Sequence, residues 1–294
     1  MTEPTSPHLL IAGLGYTGKA VAREATRLGF RVTGTSRAPS GPGVIPFAAA
    51  GEALATATHL LVTAAPGEAG DPVLATHAEA LAAAPALRWI GYLSTTGVYG
   101  DRAGAWVDEA TPPAPGQDRS RRRLEAEEAW RAASTGRALD IFRVGGIYGP
   151  GRSAIEEMQA GTARRTLKPG HAFSRIHRDD IALAVAAALR QSLPPVTRIL
   201  HLVDDEPAES ALVTEEAARL LGLPPPPAIP YEEAARTMSP MGRSFWAENR
   251  RVANAATKAA LGIAWRYPTY REGLAAILRG EERPAHVRVE TSRF

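Results

Sequence analysis

Short apolar runs alternate with longer stretches of helical periodicity through the first 200 residues of the chain. The runs have the length of buried strands, while the stretches between them carry apolar residues at helical spacing. The strands are predicted at 8–12, 31–35, 44–47, 59–63, 88–94, 138–144 and 198–203. The helices are predicted at about 17–28, 72–84, 119–135 and 179–190. This alternation predicts an α/β fold, a Rossmann-type doubly wound parallel sheet.

A glycine motif, GLGYTG at 13–18, follows the first strand and opens the first helix. Gly13 permits a tight turn, Gly15 lets the backbone approach a pyrophosphate, and Gly18 lets the helix pack on the sheet. The helix N-terminus adds free amides and a positive dipole. We therefore predict a dinucleotide site that includes these glycines with Tyr16 and Thr17, the alternative being a glycine turn without a ligand.

The end of the second strand indicates which dinucleotide binds. NAD-specific sites usually place an acid there for the ribose 2′-hydroxyl, but this strand ends in Thr35, Ser36 and Arg37. A hydroxyl followed by a guanidinium suits a 2′-phosphate, so we expect Ser36 and Arg37 to favour NADP over NAD. The alternative is that Arg37 is only a solvated loop charge.

After about residue 204 the alternation gives way to helical stretches interrupted by LPPPPAIP at 223–230. This run is too rich in proline for a strand interior or a helix. A smaller, mostly helical C-terminal substrate lobe is therefore expected. The predicted boundaries are a flexible N-terminus at 1–7, a dinucleotide-binding domain at 8–150 and 176–204, and a substrate lobe at 151–175 and 205–294.

Composition excludes several classes of chemistry. The chain has no cysteine, which rules out disulfides, thiolate metal sites and a cysteine nucleophile. Its net charge of +3 comes from scattered residues, so we expect no nucleic-acid partner. No apolar run is long enough for a membrane span, and a cytoplasmic location is expected. The histidines and acids show no spacing typical of a metal site, and no metal is expected.

Four further segments, together with the glycine motif, resemble the extended short-chain dehydrogenase/reductase superfamily, the NAD-dependent epimerase/dehydratase family. The segments are YLSTTGVYGD at 92–101, VDEATPPAP at 107–115, FRVGGIYGPGR at 142–152 and RIHRDDIA at 175–182. The resemblance spans residues 8 to about 203, and the tail at 249–278 also resembles a bacterial subgroup. It implies that Ala64 and Ala65, after the fourth strand, pass the cofactor, although they can equally be small residues at a sheet end.

The resemblance also implies a catalytic Ser or Thr after the fifth strand and a Tyr/Lys pair, four residues apart, on the next helix. The corresponding positions here are Thr95, Arg119 and Arg123. None of the three lysines follows a tyrosine by four residues, so the pair is absent. Arginine can replace lysine as a ribose ligand, but it cannot take over a tyrosine's acid/base role at neutral pH.

The family's substrate loops converge on residues that suit an anionic small molecule. These candidates are Tyr148, Arg152, Arg175 and His177. For His177, packing is the preferred interpretation, with Asp179 or Asp180 capping the helix that follows. Tyr148 is also better explained by packing.

Two functions fit these observations. The first is an NAD(P)-binding oxidoreductase or epimerase-like enzyme that prefers NADP and acts on a small molecule. The alternative is a non-catalytic NADP-binding sensor or regulatory protein, which the missing Tyr/Lys pair favours. The family resemblance also implies a homodimer formed through helices beside the sheet.

Overall fold

The computed structural model describes residues 6–192 and 194–281 of the chain. Most of the predicted N-terminal segment and the last part of the predicted substrate lobe lie outside the described residues. The strands are β1 His8–Ala12, β2 Arg31–Ser36, β3 Val44–Pro46, β4 His59–Val62, β5 Trp89–Thr95, β6 Trp106–Val107, β7 Ala138–Val144, β8 Gly146–Tyr148, β9 Arg165–Leu167, β10 Arg175–His177, β11 Thr197–Leu202, β12 Ala228–Pro230 and β13 Arg251–Val252. The helices are α1 Tyr16–Arg27, α2 Ala50–Leu54, α3 Pro72–Ala82, α4 Asp118–Ala133, α5 Ala154–Gln159, α6 Arg178–Leu189, α7 Ser210–Leu221, α8 Tyr231–Ala234, α9 Pro240–Phe245, α10 Ala255–Leu261 and α11 Tyr270–Leu278.

The main sheet has, within the described residues, seven strands in the order β11-β7-β5-β4-β1-β2-β3. Every neighbouring pair is parallel. The strand order reverses beside β1, which is where doubly wound sheets bind their ligands, outside the carboxyl ends of the strands. The predicted fold class is confirmed.

Both faces of this sheet are covered, and for this reason its strands are continuous apolar runs. Leu9 and Ile11 of β1 face a core formed with α1 and α6. Leu10 and Ala12 of the same strand face the opposite core, formed with α2, α3 and α4. Alternate side chains of one strand therefore belong to different cores, one on each face of the sheet.

A smaller cluster lies beyond the carboxyl edge of the sheet. It combines Tyr148, Ile155, Ala217, Tyr270 and Leu274, from β8, α5, α7 and α11. These elements lie far apart in the sequence and pack together as one lobe.

The proline run at 223–230 ends in a short edge strand. Residues Ala228–Pro230 form β12, which pairs with β9 in a two-stranded sheet. Proline cannot donate to a ladder, but a terminal position on an edge strand does not require it to. The sequence analysis excluded a strand interior and a helix for this run, and Pro230 lies at the end of β12 rather than in its interior.

Candidate functional site

The glycine turn is fixed by contacts from the ends of two neighbouring strands, β2 and β4. The Gly13 amide donates to Thr35 Oγ1 of β2 at 2.9 Å. Its carbonyl accepts a hydrogen bond from the Thr63 hydroxyl, directly after β4. Gly13 has a φ of +103°, and a Cβ there would lie 2.6 Å from Thr63 Oγ1. The turn therefore requires glycine at this position for both conformation and space.

Gly15 is exposed, with open space beside it, at the N-terminus of α1. A Cβ built on Gly15 would meet no protein atom within 4 Å, whereas one on Gly18 would lie 2.8 Å from the Gly13 carbonyl oxygen. The first amides of α1 have no acceptor inside the helix, and its first turn contains no acidic residue. The open space beside these unsatisfied amides can accommodate a pyrophosphate, whose charge the helix N-terminus stabilises.

Tyr16 and Thr17 occupy the first turn of α1 but face the protein. The Tyr16 hydroxyl donates to the Pro150 carbonyl at 3.0 Å, and the Arg178 guanidinium lies 4.9 Å from its ring centroid. Thr17 is buried. Tyr16 therefore connects the glycine turn to the loop that follows β8.

The β2 end presents Ser36 and Arg37 at the edge where the glycine turn lies. Thr35 is buried, and its hydroxyl already accepts a hydrogen bond from the Gly13 amide. The Ser36 hydroxyl bonds to the Ala38 backbone, and Arg37 is exposed. Both candidate 2′-phosphate ligands are therefore accessible at the strand end.

A cavity of about 660 Å³ lies at the carboxyl edge of β5 and β7. It brings together Thr95, Arg119, Arg123, Ala65 and Arg175, all of which the sequence analysis selected. Ala64 lies beside it, with its amide donating to the Ala12 carbonyl at 3.2 Å. The catalytic candidates thus share one cavity.

Thr95 ends β5, and its side chain faces this cavity. Its Oγ1 accepts a hydrogen bond from the Gly97 amide at 3.1 Å. That bond uses a lone pair and leaves the hydroxyl proton available to another acceptor. The neighbouring Thr96 and Ser120 also line the cavity. This end of the cavity is therefore lined with hydroxyl groups that can orient a substrate oxygen.

The two arginines at the expected Tyr/Lys positions differ in their contacts. Arg123 donates from Nη1 to the Tyr92 hydroxyl at 3.1 Å and to the Leu93 carbonyl at 3.0 Å. Arg119 instead places its guanidinium 4.0 Å from the centroid of the Phe245 ring. Arg123 is hydrogen-bonded to residues of β5, whereas Arg119, one turn earlier on α4, contacts Phe245 of the C-terminal segment. A guanidinium donates hydrogen bonds but does not release its proton at neutral pH, so neither arginine can act as a general acid.

Of the four substrate candidates, Arg175 lines the cavity and the others do not. Its Nη1 donates to the carbonyls of Phe173 and Ala208, each at 2.8 Å. Arg152 is exposed outside the cavity. Tyr148 is buried, with its hydroxyl 3.4 Å from the Thr269 carbonyl.

His177 is packed beneath the site. Its ring lies 5.2 Å from that of Tyr148 and 4.2 Å from that of Tyr267. Nδ1 accepts from the Asp179 amide at 3.1 Å, so His177 itself caps α6 and the expected cap by Asp179 or Asp180 is wrong. Asp180 instead accepts from backbone amides after α10. Burial lowers the pKa of His177 to about 4, which keeps the imidazole neutral.

Sequence reasoning missed the C-terminal wall of the cavity. This wall consists of Gly242, Ser244, Phe245, Trp246, Glu248, Arg250 and Val252. Arg250 Nη1 donates to the Gly100 carbonyl at 2.8 Å and to Glu248 Oε2 at 2.9 Å. The signal available in the sequence was the adjacent pair of aromatic residues, Phe245 and Trp246, because exposed rings seldom accumulate without a ligand or partner.

A buried polar chain lies behind the cavity. Ser94 donates to Glu127, which accepts two hydrogen bonds from Arg143, at 3.1 and 2.7 Å. Arg143 also donates to the Tyr99 hydroxyl at 2.8 Å, and Tyr99 lies 2.6 Å from His201 Nε2. All five side chains are buried. The chain connects α4 to β5, β7 and β11 immediately below Thr95.

Asp204, a buried acid near Arg175, is expected to make the stability of the protein depend on pH. Burial raises its pKa to about 8 from 3.8, with Arg175 acting in the opposite direction. Between these values the folded state holds a proton that the unfolded state has released, so stability falls as pH rises. We expect the free energy of unfolding to decrease between about pH 4 and 8, by up to about 1.4 kcal/mol per pH unit for this group.

Urea denaturation across this pH range measures the dependence. Asp204→Asn should flatten the profile and be relatively more stable at pH 8. An unchanged slope in this variant would exclude Asp204 as its source.

A comparison with models of protein families finds none that matches the chain. A curated 3-diazoavenalumate denitrifying reductase from a Streptomyces species is 34% identical over 160 residues, covering 52% of this chain and 51% of that protein. The match therefore spans about half the length of this curated relative.

Solved structures match over nearly the whole chain. A conserved protein of unknown function from Silicibacter pomeroyi DSS is 43% identical with a TM-score of 0.85, covering 95% of this chain and 100% of that one. A structure from Methylobacillus flagellatus, assigned to the NAD-dependent epimerases/dehydratases, is 27% identical with a TM-score of 0.69, covering 94% and 99%. This chain is similar in sequence and in fold to an NAD-dependent epimerase/dehydratase.

The epimerase/dehydratase fold extends to more distant proteins. A human epimerase family protein, SDR39U1, solved with NADPH, has a TM-score of 0.73 at 19% identity, covering 93% of this chain and 100% of that one. In this chain, the open space beside Gly15 lies at the helix N-terminus of the same fold. Among the described residues, no helix has the length and apolarity needed to cross a membrane.

Proposed function

We propose that this protein is an NADP-preferring oxidoreductase that acts on a small molecule bound in the cavity beside Thr95. The observation that carries the proposal is the placement of Thr95, Arg119 and Arg123 in one cavity at the carboxyl edge of the sheet. Ligands of doubly wound folds bind at that edge. The reductase named among the relatives supports the same reaction class.

The residues of the turn and the cavity have separate roles in the proposed reaction. The turn at Gly13 and Gly15 would hold the pyrophosphate at the N-terminus of α1, Gly18 lets that helix pack closely on the turn, and Arg123 would contact the nicotinamide ribose. When bound, the reduced cofactor supplies a hydride to the substrate. Thr95 donates its free hydroxyl proton as a hydrogen bond to the reacting oxygen and thereby orients it. Because no tyrosine or lysine lines the cavity among the described residues, we infer that the proton completing the reduction comes from solvent.

Turnover tests the enzyme assignment. The protein is mixed with NADPH and a panel of carbonyl compounds and nucleotide sugars, and the nicotinamide absorbance is followed. Loss of absorbance with any of these substrates supports the proposal. The second candidate is a non-catalytic NADP-responsive protein, favoured by the two arginines at the Tyr/Lys positions; tight NADPH binding with uniform inactivity would favour it.

Arg37 tests the NADP preference. Arg37→Ala removes the positive charge expected beside the 2′-phosphate, so NADPH affinity should fall by about tenfold while NADH affinity stays the same. Binding is measured from quenching of tryptophan fluorescence. Arg27→Ala, an exposed position at the other end of α1, is the matched control. Unchanged NADPH affinity in the Arg37 variant would show that the assignment is wrong.

A further inference from the structure

We propose that the substrate is a small aromatic or conjugated carboxylic acid, held by Arg119 and Arg250 against the ring of Phe245. The inference rests on the proposed function and specifies the substrate class for the same cavity. Its basis is the charge, the stacking and the exposed rings of the C-terminal wall.

The cavity has an excess of positive charge. Among the described residues that line it, four are arginines and one, Glu248, is acidic. Glu248 is already paired with Arg250 at 2.9 Å. Arg119 acts with burial to lower the pKa of Arg250, so the two guanidinium groups are close enough to repel each other. An anionic ligand between them would relieve this repulsion.

The Arg119 guanidinium is oriented to receive such an anion. Within the described part of the chain, its side chain makes no hydrogen bond, and its Cζ lies over the Phe245 ring, 4.0 Å from the ring centroid. Its N–H groups are therefore free of protein acceptors, and the planar fork of a guanidinium matches the two coplanar oxygens of a carboxylate. Arg250 adds a buried Nε that has no hydrogen-bond partner among the described residues.

Aromatic side chains form the adjoining surface. Phe245 is 53% exposed although it lines the cavity. Phe173 and Trp246, which also line it, lie edge to face with ring centroids 5.0 Å apart. Trp246 is supported from behind by Tyr231, at 5.4 Å and a 30° interplanar angle. A planar apolar ligand can stack against this wall while its carboxylate reaches the arginines.

Calorimetric titration of the NADP⁺-saturated protein tests the proposal with three probes. trans-Cinnamate carries both the aromatic ring and the charge. Cinnamamide keeps the aromatic ring without the charge, and 3-cyclohexylpropanoate keeps the charge but has a saturated ring and chain. We expect cinnamate to bind at least about tenfold more tightly than cinnamamide and about threefold more tightly than the cyclohexyl acid. Equal affinities would overturn the proposal, and so would binding of UDP-glucuronate or inorganic phosphate in preference to cinnamate.

Two variants locate the contact. Arg119→Gln should lower cinnamate affinity by about tenfold and leave cinnamamide affinity unchanged. Arg121→Gln is the matched control, because Arg121 lies on the same helix but is exposed and bonded to Asp118. Phe245→Ala should weaken both aromatic probes by about threefold. Full cinnamate affinity in Arg119→Gln would overturn the assignment.

The same titrations separate this inference from the proposed function. Each variant is first tested for NADP⁺ binding and for its melting temperature, so a folding defect is recognised independently. Normal NADP⁺ binding without discrimination among the probes would overturn the substrate class alone. Failure of the wild-type protein to bind NADP⁺ would overturn the proposed function itself.

Discussion

Replacing Gly15 with alanine is expected to weaken the binding of NADP⁺ and NAD⁺ by about a hundredfold or more, with little change in stability. A Cβ at this position meets no protein atom within 4 Å, and the backbone φ of −87° suits alanine. The added methyl group therefore occupies only the space that the pyrophosphate needs. Loss of two amide-to-phosphate hydrogen bonds accounts for the expected factor.

Calorimetric titration and a melting curve measure the two effects separately. Gly51→Ala is the matched control, because its Cβ would make ordinary contacts, no closer than 3.4 Å, in α2 and away from the site. It should bind both dinucleotides normally. Unimpaired binding by Gly15→Ala would mean that the pyrophosphate does not lie against this turn.

Glu127→Gln is expected to lower the free energy of unfolding by about 3 to 5 kcal/mol. The substitution keeps the shape of the side chain but removes its charge, leaving the buried guanidinium of Arg143 uncompensated. The Arg143 and Glu127 side chains are only 4% and 0% exposed, so water cannot replace the lost interaction. Urea denaturation monitored by circular dichroism measures the change.

The neighbouring acid on α4 provides the control for this change. Glu128→Gln alters an exposed side chain and should shift stability by no more than about 0.5 kcal/mol. The double variant Glu127→Leu/Arg143→Leu should recover part of the loss, since it removes both buried charges. Equal stability of Glu127→Gln and the wild-type protein would contradict the role assigned to this pair.

The sequence predicted the elements of the sheet well for a physical reason. Strands β4, β5 and β7 are buried on both faces, so each is a nearly uninterrupted apolar run that ends in a turn. The cavity positions of Arg119 and Arg123 were also predictable, because residues four apart share one face of a helix. The local residue pattern was sufficient wherever a feature depends on a single helix or strand.

The remaining features depend on contacts between distant segments. Nothing near His177 in the sequence shows that its own side chain, rather than a following aspartate, caps α6. Phe245 and Arg250 line the cavity because β13 pairs with β6, bringing the C-terminal segment across the sheet edge. Such long-range pairing leaves no periodic signal in either segment.

The order of these segments along the chain has a consequence for synthesis of the protein. The glycine turn and the threonines that brace it are all translated before residue 65, whereas the cavity wall needs Arg250, which bonds to a carbonyl 150 residues earlier. Contacts that close such long loops form late, after local structure has been established. A growing chain is therefore expected to acquire its dinucleotide cradle well before it acquires the pocket beside it.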